Sequence, residues 1–155
     1  MYTIEILHRF GMMDCKSMAT PMEANLKKLY DSAISPYLVD PTMYRYLIGS
    51  LLYLVNTIPD ICYVANALSQ HMVESRQVHW TTAKHVLRYL RSTVGYGLRY
   101  TSGEGVKLVG FTYLDWVGSD VDRKSTSGCC FSLVSTMVSW FRKKQAFAAL
   151  STTKP

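Results

Sequence analysis

The sequence predicts an α+β fold in which a helical subdomain over residues 1–100 is followed by an antiparallel sheet over residues 101–155. Three observations predict it. Apolar residues recur at helical spacing through the first half of the chain. After Gly95 the period shortens, and β-rich runs alternate with Gly, Ser or charged turns. Helices grouped ahead of strands, rather than interleaved with them, argue for α+β and not for a parallel α/β sheet.

The elements follow in chain order. Ile4, Leu7, Phe10 and Met13 line one face of a short opening helix, which Gly11 breaks. Residues 14–40 hold Pro21 and Pro36 with few periodic apolar positions and read as a long connection. Pro41 then stands where a first-turn proline belongs, with Asp40 before it as N-cap. Tyr44, Leu47, Ile48, Leu51, Leu52 and Val55 mark the inner face of that helix. Thr57-Ile58-Pro59-Asp60 ends it and starts another, because proline tolerates a first turn but not an interior. Ile61, Val64, Ala65 and Leu68 point inward from this second helix. A third helix is predicted over 78–92, with Ala83, Val86, Leu87 and Leu90 inward. Strands are predicted over 97–101, 107–113, 128–135, 138–141 and 146–150.

Size and composition bound what the chain can be. With 155 residues, 48% of them hydrophobic, it can bury a core and is not wholly disordered. Its 17 Lys and Arg against 11 Asp and Glu leave a formal charge of +6, compatible with a polyanionic partner and equally with an ordinary basic domain. No block of like charge forms a tail. Cys15, Cys62, Cys129 and Cys130 contain no C-x-x-C, and vicinal Cys129-Cys130 is poor geometry for a disulfide, so reduced cysteines in an intracellular chain are expected. The longest apolar run, residues 47–55, is too short to span a bilayer, and no membrane is expected as a partner.

Few single residues carry chemistry. A lone Asp115 at a strand end is ordinarily a turn or capping residue, and Asp120 and Asp122 sit among Arg123 and Lys124 as in a solvated hairpin. His8, His71, His79 and His85 offer no ligand pair at i, i+4, and Ser125-Thr126-Ser127-Gly128 reads as the turn that opens a strand. Lys84, Arg88 and Arg91 do share one helix face, at i, i+4 and i+7. Such a stripe can track phosphates, or it can be the solvated side of a helix whose apolar side is buried. Tyr89 and Trp80 beside it read as core rather than base-stacking platforms.

The order of whole phrases says more. Ile6-Leu7-His8-Arg9-Phe10-Gly11-Met12-Met13-Asp14-Cys15-Lys16 leads to Ala19-Thr20-Pro21-Met22. Tyr44-Arg45-Tyr46-Leu47-Ile48-Gly49-Ser50-Leu51-Leu52-Tyr53-Leu54 precedes Asn56-Thr57-Ile58-Pro59-Asp60-Ile61. His85-Val86-Leu87-Arg88-Tyr89-Leu90-Arg91, Gly97-Leu98-Arg99-Tyr100, Asp122-Arg123-Lys124-Ser125-Thr126-Ser127-Gly128, Val138-Ser139-Trp140 and Lys143-Lys144-Gln145 complete the series. Across essentially its full length the chain resembles the Pol polyprotein of copia-type LTR retrotransposons. The resemblance implies that residues 1–100 correspond to the reverse-transcriptase thumb or connection, and 101–155 to the first strands of a truncated, RNase H-like domain. It implies an ancestral role in hydrolysing RNA within RNA–DNA hybrids, with Mg in the intact enzyme. The polymerase carboxylates would precede Met1.

The same resemblance implies a defect. The family motif at the end of the first RNase H strand is Ser/Thr-Asp-x-Asp-Trp, and here Thr112-Tyr113-Leu114-Asp115-Trp116 places Tyr113 at the metal-ligand Asp and leaves Asp115 as a vestige. The next motif, Ser-Thr-Thr-Glu-Ala-Glu, is matched by Ser151-Thr152-Thr153 and then Lys154-Pro155, without the catalytic Glu. Two-metal hydrolysis holds its ions about 3.5–4 Å apart on carboxylates. A tyrosine phenol titrates near about pH 10 and brings no charge to an ion at neutrality. The expectation is therefore no complete catalytic set, no metal and no cofactor. Lys84, Arg88, Arg91, Lys143 and Lys144 are the candidate contacts to an RNA–DNA hybrid or other nucleic acid, and a sheet face lacking its helix is expected to self-associate.

Overall fold

The computed structural model describes residues 2–23, 39–100, 107–115, 124–134 and 136–145. It is α+β, with four α-helices and a three-stranded antiparallel sheet among those residues. The chain divides into two compact units, Met1–Gly97 and Leu98–Pro155.

In the first unit, α1 (Tyr2–Arg9) ends on Gly11, whose φ of 63° is the left-handed conformation that costs glycine little. The Met12 N–H donates to the Leu7 carbonyl at 2.7 Å and the Gly11 N–H to that of His8 at 3.0 Å, so two orphan carbonyls of the last turn are satisfied in a Schellman motif. Helix α2 (Pro41–Leu54) begins as its sequence requires: the Asp40 carboxylate accepts from the Thr42 N–H at 2.8 Å, and Pro41 fills the first turn. A single 3-10 turn, Pro59–Ile61, leads into α3 (Cys62–Ser69). Helix α4 (Gln77–Ser92) is the longest. At its start the Arg76 N–H donates to His79 Nδ1 at 3.0 Å, which assigns the proton of a neutral His79 to Nε2.

The helices bury one shared core. Ile6, Leu7, Tyr44, Leu47, Ile48, Leu51, Ile61, Val64, Leu68, Val86, Leu87 and Leu90 are fully enclosed. The inward positions expected from periodicity on α3 and α4 are all buried, while Leu52 and Val55 of α2 are only partly so and Leu54 takes the deeper place. Ile4 of α1 is likewise half-buried, and Ile6 lies in the core. Tyr44 is buried whole because its hydroxyl donates to the Leu68 carbonyl at 2.8 Å.

The second unit holds β1 (Leu108–Asp115), β2 (Thr126–Leu133) and β3 (Thr136–Lys144), in the order β1-β2-β3. Phe111 pairs with Cys130, Tyr113 with Gly128 and Asp115 with Thr126; across β2, Gly128 pairs with Arg142 and Thr126 with Lys144. Two glycines receive aromatic rings. A Cβ on Gly110 would meet the Phe131 ring at 2.9 Å, and one on Gly128 would meet the Tyr113 ring at 3.5 Å. Residues 97–100, expected as a strand, form none, because their ties to β3 run through side chains rather than a backbone ladder. The Thr136 hydroxyl donates to the Arg99 carbonyl, and the Tyr100 hydroxyl to that of Met137. The strand expected over 146–150 lies outside the described residues, as do Asp120, Asp122 and Arg123. All four cysteines lie among the described residues, and none of them is joined in a disulfide.

Candidate functional site

Strand alternation puts Tyr113 and Asp115 on one face of the sheet, two residues apart. The register extends this face into two rows: Tyr113, Gly128 and Arg142, then Asp115, Thr126 and Lys144. The Tyr113 ring lies over Gly128 and is 54% exposed, so the phenol covers backbone instead of filling a pocket. The end of the sheet is closed by Gln145, whose backbone N–H donates to the Ser125 carbonyl and whose amide donates to Ser127 Oγ, both at 2.9 Å.

Magnesium takes oxygen ligands, preferably several charged ones. Tyr113 stands in one row and Asp115 in the other by register, with Arg142 and Lys144 at the matching positions two strands away. Among the described residues no group of three or more His, Cys, Asp or Glu is placed to hold a metal ion. Sequence reading missed Arg142 as a member of this face; its even spacing with Trp140 and Lys144 is the signal that would have found it. Lys143 pairs with Ser127 and so lies on the opposite face from Lys144. The two lysines therefore do not form one patch.

The basic stripe of α4 has a more specific setting than its spacing suggests. Residues 13–20 run along the helix as a strap, and the stripe holds it. Arg88 Nε donates to the Lys16 carbonyl at 2.7 Å, and Arg91 Nε to the Met13 carbonyl at 2.6 Å. The Met18 N–H donates to the Arg88 carbonyl at 3.2 Å, Ser92 Oγ to the Met18 carbonyl at 3.0 Å, and His85 Nε2 to that of Thr20 at 3.0 Å. Charged donors make the stronger hydrogen bonds, so the two guanidinium groups act first as clamps on backbone. Lys84 is exposed, with its ammonium 5.4 Å from the Trp80 ring centre. Tyr89 and Trp80 pack as expected, Tyr89 buried and Trp80 against the core. The Tyr89 hydroxyl donates to Asp60 at 2.8 Å. Burial first, then that bond and the charges of Asp60 and Tyr96, push its phenol up to about 12.

No family model and no solved structure matches the chain. Several proteins do match in sequence. A retrovirus-related Pol polyprotein from a transposon of Arabidopsis thaliana is 39% identical over 99% of this chain, which spans 10% of that polyprotein. An uncharacterised mitochondrial protein of the same plant is 35% identical over 99% of the chain, which covers 62% of it. A secreted RxLR effector protein of Plasmopara viticola is 44% identical over 72% of the chain, which covers 79% of that protein. The chain thus spans only a small part of the polyproteins that match it along nearly its whole length. This chain belongs to one sequence family with the Plasmopara viticola protein, most of which it covers, and it is similar along nearly its whole length to retrovirus-related Pol polyproteins from transposons.

Proposed function

We propose that the chain is a segment of a copia-type Pol polyprotein, with residues 1–100 from the end of the reverse transcriptase and its connection and residues 101–155 from the first strands of an RNase H-like domain, and that by itself it does not hydrolyse RNA. The observation that carries the second part is Tyr113 at the β1 end of its row, its ring over Gly128 and Arg142 next across the sheet. Cations on the face where a nuclease needs anions oppose the recruitment of magnesium before any catalytic step begins. The order of phrases through the chain and the named Pol polyproteins among its relatives support the first part. The test is cleavage of a labelled RNA–DNA hybrid in magnesium or manganese. No turnover is expected, and specific turnover abolished by Asp115→Asn would overturn the reading.

A second reading, a non-enzymatic nucleic-acid-binding remnant, is favoured by the α4 face, where Lys84 and Arg91 are exposed beside Arg88. With three to five phosphate contacts it predicts a log–log salt slope of about −3 to −4.5 for binding to a hybrid. Replacing Lys84 with Gln would reduce that slope by about 1, and binding indifferent to salt would remove this reading.

A further inference from the structure

Three helices of the first unit bring aromatic rings and cations into one row. Arg9, at the end of α1, places its guanidinium carbon 5.0 Å from the ring centre of Tyr46 on α2. The Tyr46 ring lies 6.0 Å from that of Phe10, and the Phe10 ring 6.3 Å from that of Trp80 on α4. Trp80 in turn carries the Lys84 ammonium at 5.4 Å. Phe10 and Trp80 back onto the core, whereas Arg9 and Lys84 are exposed and Tyr46 is 44% exposed.

The row continues along α4. Trp80, Lys84, Arg88 and Arg91 recur at i, i+4, i+8 and i+11, which keeps them on one side of the helix over about 16 Å. At the far end the strap adds Lys16, which is exposed. The two arginines each spend Nε on a strap carbonyl, at 2.7 Å for Arg88 and 2.6 Å for Arg91. Those bonds fix the plane of each guanidinium and leave its Nη groups to meet an anion. Helices α2 and α4 contain no carboxylate, and α1 and the strap contribute only Glu5 and Asp14.

We propose that this side of the helical unit binds a single strand of RNA or DNA, with phosphates along Lys84, Arg88, Arg91 and Lys16 and a base stacked at Tyr46 and Arg9. The inference rests on the nucleic-acid reading above and changes its ligand from a hybrid to a single strand. In a duplex or hybrid the bases stack on one another, and what meets a protein is phosphate, sugar and groove edge. Cations by themselves suit that ligand. A ring exposed over nearly half its surface, with a guanidinium beside it, suits a base whose face is free. Every base has such a face, and it stacks on aromatic rings and on guanidinium planes alike. The rings are also flanked by cations at both ends, Arg9 and Lys84, as a strand requires in which each base hangs from a phosphate.

The experiment is fluorescence anisotropy of the full chain with labelled RNA and DNA oligonucleotides of mixed sequence, each presented alone and then as an RNA–DNA hybrid. The single strands are expected to bind more than about tenfold tighter than the hybrid, with an affinity that falls as salt rises. Tyr46→Leu keeps apolar bulk but loses the ring. It is expected to weaken single-strand binding about tenfold and to leave hybrid binding unchanged, while Tyr46→Phe binds as the wild type does. Lys84→Gln is expected to weaken both ligands alike. A hybrid bound as tightly as the single strands, with a salt-dependent affinity, would overturn this inference and keep the nucleic-acid reading. Binding that is absent or indifferent to salt for every ligand would remove both. Tyr46→Leu binding single strands as tightly as the wild type would also overturn the inference, and its unchanged circular dichroism would show that the substitution leaves the helices intact.

Discussion

In the helical unit each helix brings at least two apolar side chains to full enclosure, whereas in the sheet unit Leu108, Phe111, Tyr113 and Phe141 are each more than half exposed, at 62%, 57%, 54% and 52%. The two regions are similarly rich in apolar residues but use them differently. An amphipathic helix needs one neighbour for one stripe, and four helices can satisfy one another. A sheet of three strands has two apolar faces. Leu108 and Phe141 lie on one, and Phe111 and Tyr113 on the other. The lesson is that packing holds residues 2–23 and 39–97, while the described strands are held chiefly by their ladder and by rings laid over Gly110 and Gly128.

The largest expected effect tests that contrast directly. Leu87→Ala or Ile48→Ala, each at a fully enclosed position, should cost about 2–5 kcal/mol in chemical denaturation. Phe111→Ala on the exposed sheet should stay within about 0.5 kcal/mol in a chain kept dilute enough to be monomeric. Equal losses at the two sites would break the comparison. Alkaline pH should come next. Burial raises the phenols of Tyr44 and Tyr89, the latter to about 12. The unfolded chain then releases these protons from about pH 10 while the folded chain retains them, so stability falls as pH rises from there through about 12. Helical circular dichroism followed alongside tyrosinate absorbance should show the helices lost as the buried phenols ionise, and full ionisation with the helical signal intact would contradict it.

Smaller effects sharpen the picture at element ends. Asp40→Ala removes the acceptor for the Thr42 N–H and should cost about 1 kcal/mol, read as a lower unfolding midpoint of the helical unit. Val134, a β-branched residue held at φ 58° in the β2–β3 turn, should be improved upon by Asn or Gly by about 0.5–1 kcal/mol. A higher midpoint without change in the spectrum of the folded chain is the expected outcome. Val134 being best at its own position would mean that its turn is stabilised in a way its backbone does not reveal.

Much of the helical unit was legible because a 3.6-residue period and the chemistry of helix ends are local. Asp40-Pro41 and Gly11 announced their caps, and the inner faces of α3 and α4 followed from spacing alone. The second unit was less so. Residues 97–100 have strand composition, yet a strand needs a partner ladder, which composition does not supply. The strap over residues 13–20 carries almost no period, and what fixes it is a set of carbonyl groups placed within reach of Arg88 and Arg91. At the candidate site, the shared face of Tyr113 and Asp115 was legible from alternation, but the arrival of Arg142 and Lys144 on that face depended on a register spanning both strand pairs.

The sequence by itself determined the order of helices and strands, where the helices are capped, and the presence of a phenol at position 113 on the same strand face as Asp115. These are properties of neighbours along the chain, and a few residues suffice to encode them. Only the tertiary structure decided that the α4 arginines clamp a strap and that cations share the face of Tyr113. Each of those joins residues far apart in sequence, and a hydrogen bond or a charge acts through distance in space rather than through position in the chain.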